Sequence, residues 1–167
     1  MIKIYGTKQS RATRVIWAAL ELGLPHELVI VDRLTGAHKS PDFLKINPNG
    51  RIPALEDDGL VMFESLAMTL YLAKKAGGPL APKDLKEDAL MTMWTLWGVN
   101  EVEPHSVQVL YHRMLWPEAQ REEKKALESI EALRAPLAVL ESHLAQHDYV
   151  VGDRFTVADI NVAAVCS

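Results

Sequence analysis

Cysteine is almost missing from this chain. Cys166 is the only one in 167 residues, which excludes an internal disulfide framework and leaves no CxxC or Cys/His cluster with zinc spacing. Its expected place is a buried one, as a small apolar filler. No apolar run approaches the roughly 20 residues of a membrane-spanning helix, and Met1-Ile2-Lys3 leads straight into a strand pattern instead of a secretory leader. A cytoplasmic protein with no membrane partner is therefore expected. Neither sign of charge dominates: 18 basic residues are scattered among 22 acidic ones for a net charge of -4, which argues against a nucleic-acid partner. GxGxxG and GxxxxGK[ST] are absent, so nucleotide chemistry has no support. The six histidines form no HExxH arrangement, and no metal is expected.

What is present is concentrated in residues 47–65, NPNGRIPALEDDGLVMFES. Pro53 interrupts a short apolar strand pattern, and proline cannot donate to a sheet ladder. A cis Ile52-Pro53 bond would turn the amide and carbonyl of Ile52 outward, where an extended ligand could pair with them as an added strand. Asp57-Asp58-Gly59 reads as a hairpin turn, Leu60 to Phe63 as the returning strand, and Glu64-Ser65 as the start of an apolar helix. A helix start with a serine hydroxyl suits a carboxylate, and Glu64 suits an ammonium. An α-amino acid end satisfies both.

Around this stretch the chain divides in two. Residues 2–5 and 27–31 read as strands flanking the helical pattern RVIWAALEL, which gives a parallel, right-handed βαβ unit. Ser40-Pro41 caps a short helix, DFLKI. The resulting order, βαβαββα, is that of a thioredoxin-like domain over residues 1–78. Residues 79–88 read as a linker, and residues 89–167 as an all-α helical bundle. Within it Ala126, Ile130, Leu133, Leu137, Leu140 and Leu144 form an apolar stripe. Pro136 should bend that helix near residues 132–134. In VVGDRFTVADINVAAVCS, Thr156 and Asp159 are spaced as a capping box, with Phe155 and Ile160 as a hydrophobic staple.

Taken together, RIPALEDDGLVMFES and the FTVAD helix start resemble the glutathione transferase superfamily, in its bacterial theta- or delta-like form, over the whole chain. The resemblance implies an enzyme that activates glutathione, its co-substrate, as a thiolate and adds it to a small hydrophobic electrophile. A homodimer is implied as well, and so is an incomplete C-terminal domain, because family members usually continue through further helices. Where thioredoxin-like enzymes place CxxC, this chain reads Thr7-Lys8-Gln9-Ser10, so redox exchange gives way to a hydroxyl donating to a thiolate. Ser10, four residues before Arg14, matches the catalytic serine, with Thr7 and Tyr5 as rivals. The resemblance assigns glutathione binding to His38, Arg51, Ile52, Pro53, Glu64 and Ser65. At 50 and 51, Gly-Arg replaces the His-Thr of delta-like relatives. Thr7, Asn100, Glu101 and His105 are the candidates for the electrophile pocket, and the neighbouring Trp94, Trp97 and Tyr111 read first as core. Two other functions fit the same residues: a non-enzymatic glutathione-binding or assembly module, and a glutathione-dependent isomerase or dehalogenase.

Overall fold

The computed structural model describes residues 1–166 and divides the chain into two compact units, Met1–Pro82 and Lys83–Ser167. In the first, β1 (Ile2–Gly6), α1 (Ala12–Glu21), β2 (His26–Ile30), α2 (Pro41–Ile46), β3 (Ala54–Asp57), β4 (Leu60–Phe63) and α3 (Ser65–Ala76) come in the βαβαββα order, with a short 3₁₀ turn at Ala37–Lys39 before α2. The sheet runs β2-β1-β3-β4; β1 and β2 are parallel and the other pairs antiparallel. Strand β2 begins one residue earlier than its pattern indicates, yet Val31 still donates its amide to the carbonyl of Gly6 at 3.2 Å. Strand alternation splits the core between the two faces. Ile4 and Leu55 pack with Val15 and Ala19 of α1 and Met68 and Leu72 of α3, while Tyr5 and Ala54 face Phe43 of α2.

Local chemistry explains the joints of this unit. Ser40 accepts the amide of Phe43 at 3.2 Å, with Pro41 in the first turn of α2, as its sequence indicates. Asp58 and Gly59 both take positive φ, 48° and 87°, the signature of a two-residue hairpin. Asp57 is buried, and burial alone would raise its pKa. Hydrogen bonds from Lys75 and from the Tyr71 hydroxyl at 2.8 Å outweigh that cost and hold the carboxyl below its ordinary value, which ties the hairpin to α3.

The second unit is helical: α4 (Leu85–Trp97), a π turn (Gly98–Val102), α5 (Glu103–Leu110), a second π turn (Tyr111–Leu115), α6 (Glu123–Leu144) and α7 (Val157–Cys166). Helix α4 starts inside the stretch expected as linker, because Asp84 caps it by accepting the amide of Glu87 at 2.8 Å. The first π turn has a cause in the sequence. Pro104 has no N–H for the carbonyl of Asn100 and its ring would strike it; the helix widens instead, with the Glu103 amide reaching Gly98. Helix α6 runs uninterrupted across Pro136, so the expected bend does not break it. Its stripe is only partly covered: Ala126 is buried, but Leu137 and Leu144 are exposed.

Thr156 and Asp159 form the expected capping box, the Thr156 amide donating to Asp159 at 2.8 Å, and the second Asp159 oxygen accepts the Val150 amide at 2.8 Å. Ile160 is buried, whereas Phe155 keeps 38% of its surface exposed. Cys166 is exposed and not a core filler; it lies three residues after exposed Ala163, on the outward face of α7. The loop before α7 is tied to the start of α4 by a bidentate pair, Arg154 to Glu87 at 2.6 and 2.8 Å. That contact, offset in part by burial, lowers the Glu87 pKa from 4.5 to about 2. A depressed folded-state pKa contributes stability that is complete above 4.5 and disappears as the pH falls toward 2. Glu87→Gln should therefore lower stability at pH 7 by about 2 kcal/mol. In thermal unfolding, the gap between parent and variant should close as the pH falls below 4.5.

Candidate functional site

The register of the sheet gathers the predicted residues of the first unit at one end. Tyr5 pairs with Ala54, and Ala54 with Phe63. One step further along each strand come Gly6, Pro53 and Glu64. Ser10 lies four residues beyond Gly6 and Ser65 opens α3, so the proline segment and two helix starts meet at the C-terminal end of β1.

Gly6 sets the spacing. A Cβ on it would lie 2.8 Å from the Ala12 Cβ, 3.3 Å from the Ser10 Oγ and 3.7 Å from the Ile52 Cβ, and its φ of +155° is one that side-chain-bearing residues rarely adopt. The missing side chain is what lets the start of α1 and the Ile52 segment approach the same point.

The Ser10 hydroxyl accepts the amides of Thr7 at 3.3 Å and Ala12 at 3.2 Å and donates to the carbonyl of Thr7 at 2.7 Å. Both of its lone pairs and its proton are thus engaged, and donation to a ligand requires the hydroxyl to turn its proton away from the Thr7 carbonyl. It also satisfies the Ala12 amide at the start of α1, whose N-cap position is held by Arg11. Tyr5 is committed elsewhere: its hydroxyl donates to Glu56 at 2.7 Å, and burial together with that carboxylate pushes its pKa up to about 12. Thr7 holds Ser10 through its backbone.

The Ile52-Pro53 bond is cis, as the sequence reading expects. Among the described residues no backbone hydrogen bond engages the amide or carbonyl of Ile52. Glu64 occupies the cap of α3 at φ 73°, ψ 103°, a conformation that costs a non-glycine residue about 1–3 kcal/mol. Ser65, buried, is the first helical residue. His38 lies in the 3₁₀ turn, and its buried Nδ1 has no partner among the described residues. Arg51 is exposed and makes no ion pair with them.

Sequence reasoning missed three residues here. Gly6 is one, signalled only by a glycine between a strand and a turn. Asn47 is buried and organises the loop before Pro53: its Nδ2 donates to the Arg51 carbonyl at 2.7 Å, and its Oδ1 accepts the Asn49 amide at 3.1 Å. Lys39 donates to the Asn49 carbonyl at 3.2 Å and packs over Gly50, which links the 38–39 turn to Arg51. The run N-P-N-G carries the turn signal for this loop.

Asn100, Glu101 and His105 belong to the second unit. The first two stand exposed on the first π turn, and His105 is half-buried on α5. Trp94 is buried with Trp97 edge-on at 5.0 Å, consistent with packing. No group of three or more metal-ligating side chains occurs among the described residues, and no helix there is long and apolar enough to cross a membrane.

Comparison with known proteins places this architecture. The profile of the "Glutathione S-transferase, N-terminal domain" matches residues 10–75, and that of the "Glutathione S-transferase, C-terminal domain" matches residues 102–167. Glutathione S-transferase 3 of Zea mays is 38% identical, over 97% of this chain and 75% of its own length. Glutathione transferase F7 of Populus trichocarpa superposes with a TM-score of 0.90 at 33% identity, over 99% of this chain and 81% of that one. A theta-class glutathione S-transferase of Xanthomonas axonopodis pv. citri, solved with glutathione bound, does so with a TM-score of 0.90 at 30% identity, over 96% and 78%. The relatives thus include plant F-type proteins beside a bacterial theta-class one, a wider set than a theta- or delta-like resemblance implies. By both domain profiles and by these relatives, the chain belongs to the glutathione S-transferase family.

Proposed function

We propose that this protein is a glutathione transferase in which Ser10 holds glutathione as a thiolate for attack on a small hydrophobic electrophile. The observation that carries the reading is the convergence, at one end of the sheet, of a hydroxyl whose lone pairs are taken, an unpaired Ile52 backbone and the Glu64-Ser65 helix start. Each part has a complement in the tripeptide. The Ile52 amide and carbonyl pair with the cysteinyl backbone as an added strand beside Pro53. Ser65 and the amides of α3 take the γ-glutamyl carboxylate, and Glu64 takes its ammonium. At the other end, Lys39 and Arg51 have no carboxylate partner among the described residues and the His38 Nδ1 is unpartnered, which suits the glycine carboxylate.

The energetics are modest. A thiol of pKa about 8.5 must be stabilised by roughly 2.7 kcal/mol to titrate about two units lower. One charge-assisted hydrogen bond from Ser10 plus the positive end of α1 supplies that order of energy. No base need remove the proton, since a lowered pKa releases it to water. Thr7, Asn100, Glu101 and His105 are the side chains whose replacement should change the choice of electrophile. The exposed Leu90, Met93 and Leu96 of α4 support a homodimer, and the work of such an enzyme is cytoplasmic.

Glutathione titrated into the protein at about pH 6.5, near the shifted thiol pKa, should produce ultraviolet thiolate absorption that Ser10→Ala abolishes. Turnover should fall roughly 10- to 100-fold in that variant, the worth of one charged hydrogen bond. Saturable binding without the thiolate band would favour a binding module instead, and products other than conjugates would favour an isomerase or dehalogenase. Gly6→Ala should also lower kcat/KM while its circular dichroism stays that of the parent, because the new Cβ forces Ser10 and Ala12 away from the Ile52 segment. Parental turnover in Gly6→Ala would refute the assigned spacing.

A further inference from the structure

We propose that Asn47 is a positioning residue for glutathione, one whose side-chain amide aims the Ile52 N–H at the cysteinyl carbonyl of the ligand. The inference rests on the glutathione reading above and adds to it a residue outside the set that faces the tripeptide. Asn47 keeps only 1% of its surface exposed, so it acts on the ligand through the backbone it holds.

Both the backbone and the side chain of Asn47 are committed to the segment that leads to Pro53. Its main-chain amide donates to the Phe43 carbonyl of α2 at 2.9 Å, and its carbonyl accepts the Gly50 amide at 2.8 Å, which closes a tight turn. On the side chain, Oδ1 accepts the Asn49 amide at 3.1 Å and the Asn49 side-chain amide at 3.0 Å, and Nδ2 donates to the Arg51 carbonyl at 2.7 Å. Only this orientation of the Asn47 amide satisfies its neighbours, since two donors face one end and an acceptor faces the other. Among the described residues no backbone group donates to the Arg51 carbonyl, so the bond from Asn47 is what anchors it.

The Arg51 carbonyl and the Ile52 amide are the two ends of one peptide group. The 51–52 bond is trans, and in a planar trans peptide the N–H points opposite to the C=O. Holding the carbonyl inward on the buried Asn47 therefore turns the Ile52 N–H outward, the direction an added strand needs. A peptide group bonded at its carbonyl end is also polarised and donates more strongly at its amide end. The bond requires an N–H donor on a short side chain; aspartate has no such donor, and glutamine is one methylene longer. Without it the 51–52 peptide group is free to turn and its N–H points in several directions. That weakens capture of the tripeptide but leaves Ser10 as it was, because the hydroxyl is held by the amides of Thr7 and Ala12. The signature is a change in glutathione affinity with no change in thiol acidity.

The test compares the parent with two variants of the whole chain. Asn47→Ser keeps a hydroxyl that can accept the residue 49 amide but cannot reach the Arg51 carbonyl, and Asn47→Asp keeps the shape and loses the donor. In both, the calorimetric Kd and the KM for glutathione should rise about 3- to 10-fold, the worth of one neutral hydrogen bond. The kcat at saturating glutathione and the pH at which the bound thiol ionises should stay those of the parent. Asn49→Ala removes one contact to the same side chain and keeps the Arg51 bond, so it should bind as the parent does. Parental glutathione binding in a folded Asn47→Ser or Asn47→Asp, a fall in kcat at unchanged KM, or equal weakening in Asn49→Ala would overturn the assignment. Loss of the native circular dichroism in both Asn47 variants would overturn it too, since Asn47 would then serve the fold alone. Failure of the underlying reading looks different: the parent itself would not bind glutathione, and both proposals would fall together.

Discussion

A hydrogen atom in place of a side chain at Gly6 is the constraint on which the first unit turns. Two segments come within van der Waals reach of it at the end of β1: the start of α1 and the loop before β3. Without that approach, Ser10 and Ile52 would be separated by the width of a methyl group. Under the proposed function, a hydroxyl that must reach a sulfur cannot absorb a displacement of that size. The sheet register does the rest, because once Tyr5, Ala54 and Phe63 are in line the next residues must be neighbours. The site is therefore a product of topology as much as of its side chains.

The second unit has a different organising contact, the carboxylate of Asp159. One oxygen closes the capping box of α7 and the other holds the amide of Val150, so a single side chain fixes both the helix start and the loop that reaches it. Glu87 and Arg154 then fasten the same loop to α4. Deeper in, Asn161 donates to the Thr95 hydroxyl, which donates to the Met91 carbonyl. The buried polar groups of α7 are thus answered by α4, as a helix carrying an asparagine into a core requires.

Much of this was legible in the sequence, for identifiable reasons. The order of the first unit comes from short-range signals: Ser40-Pro41 as a cap, Asp58-Gly59 as a hairpin turn, alternation in β1. The proline segment and the Glu64-Ser65 helix start were legible because proline and a serine at a helix start have few other roles in such a pattern. What escaped depends on contacts across the chain. Nothing local reveals that Asn47 is buried under the Arg51 carbonyl, or that Lys39 lies over Gly50. The apolar stripe of α6 was read as buried throughout, yet Leu137 and Leu144 are exposed, which helical spacing alone does not reveal. Pro136 was weighed by its local cost, and the helix runs through it; Pro104 drew no attention and yet widens its helix.

The π turn ahead of Pro104 has a further bearing on how such a chain can change length. A π turn holds one residue more than the α turn it replaces while leaving the helix on either side in phase. Residues 98–102 are therefore a place where the rod from α4 to α5 can lose one residue without rotating the α5 end against the α4 end. A deletion anywhere else in that rod would swing each later side chain by about 100° about the axis, carrying His112 out of its buried position. A one-residue change in helix length has a mechanically permitted address here, next to the exposed Asn100 and Glu101.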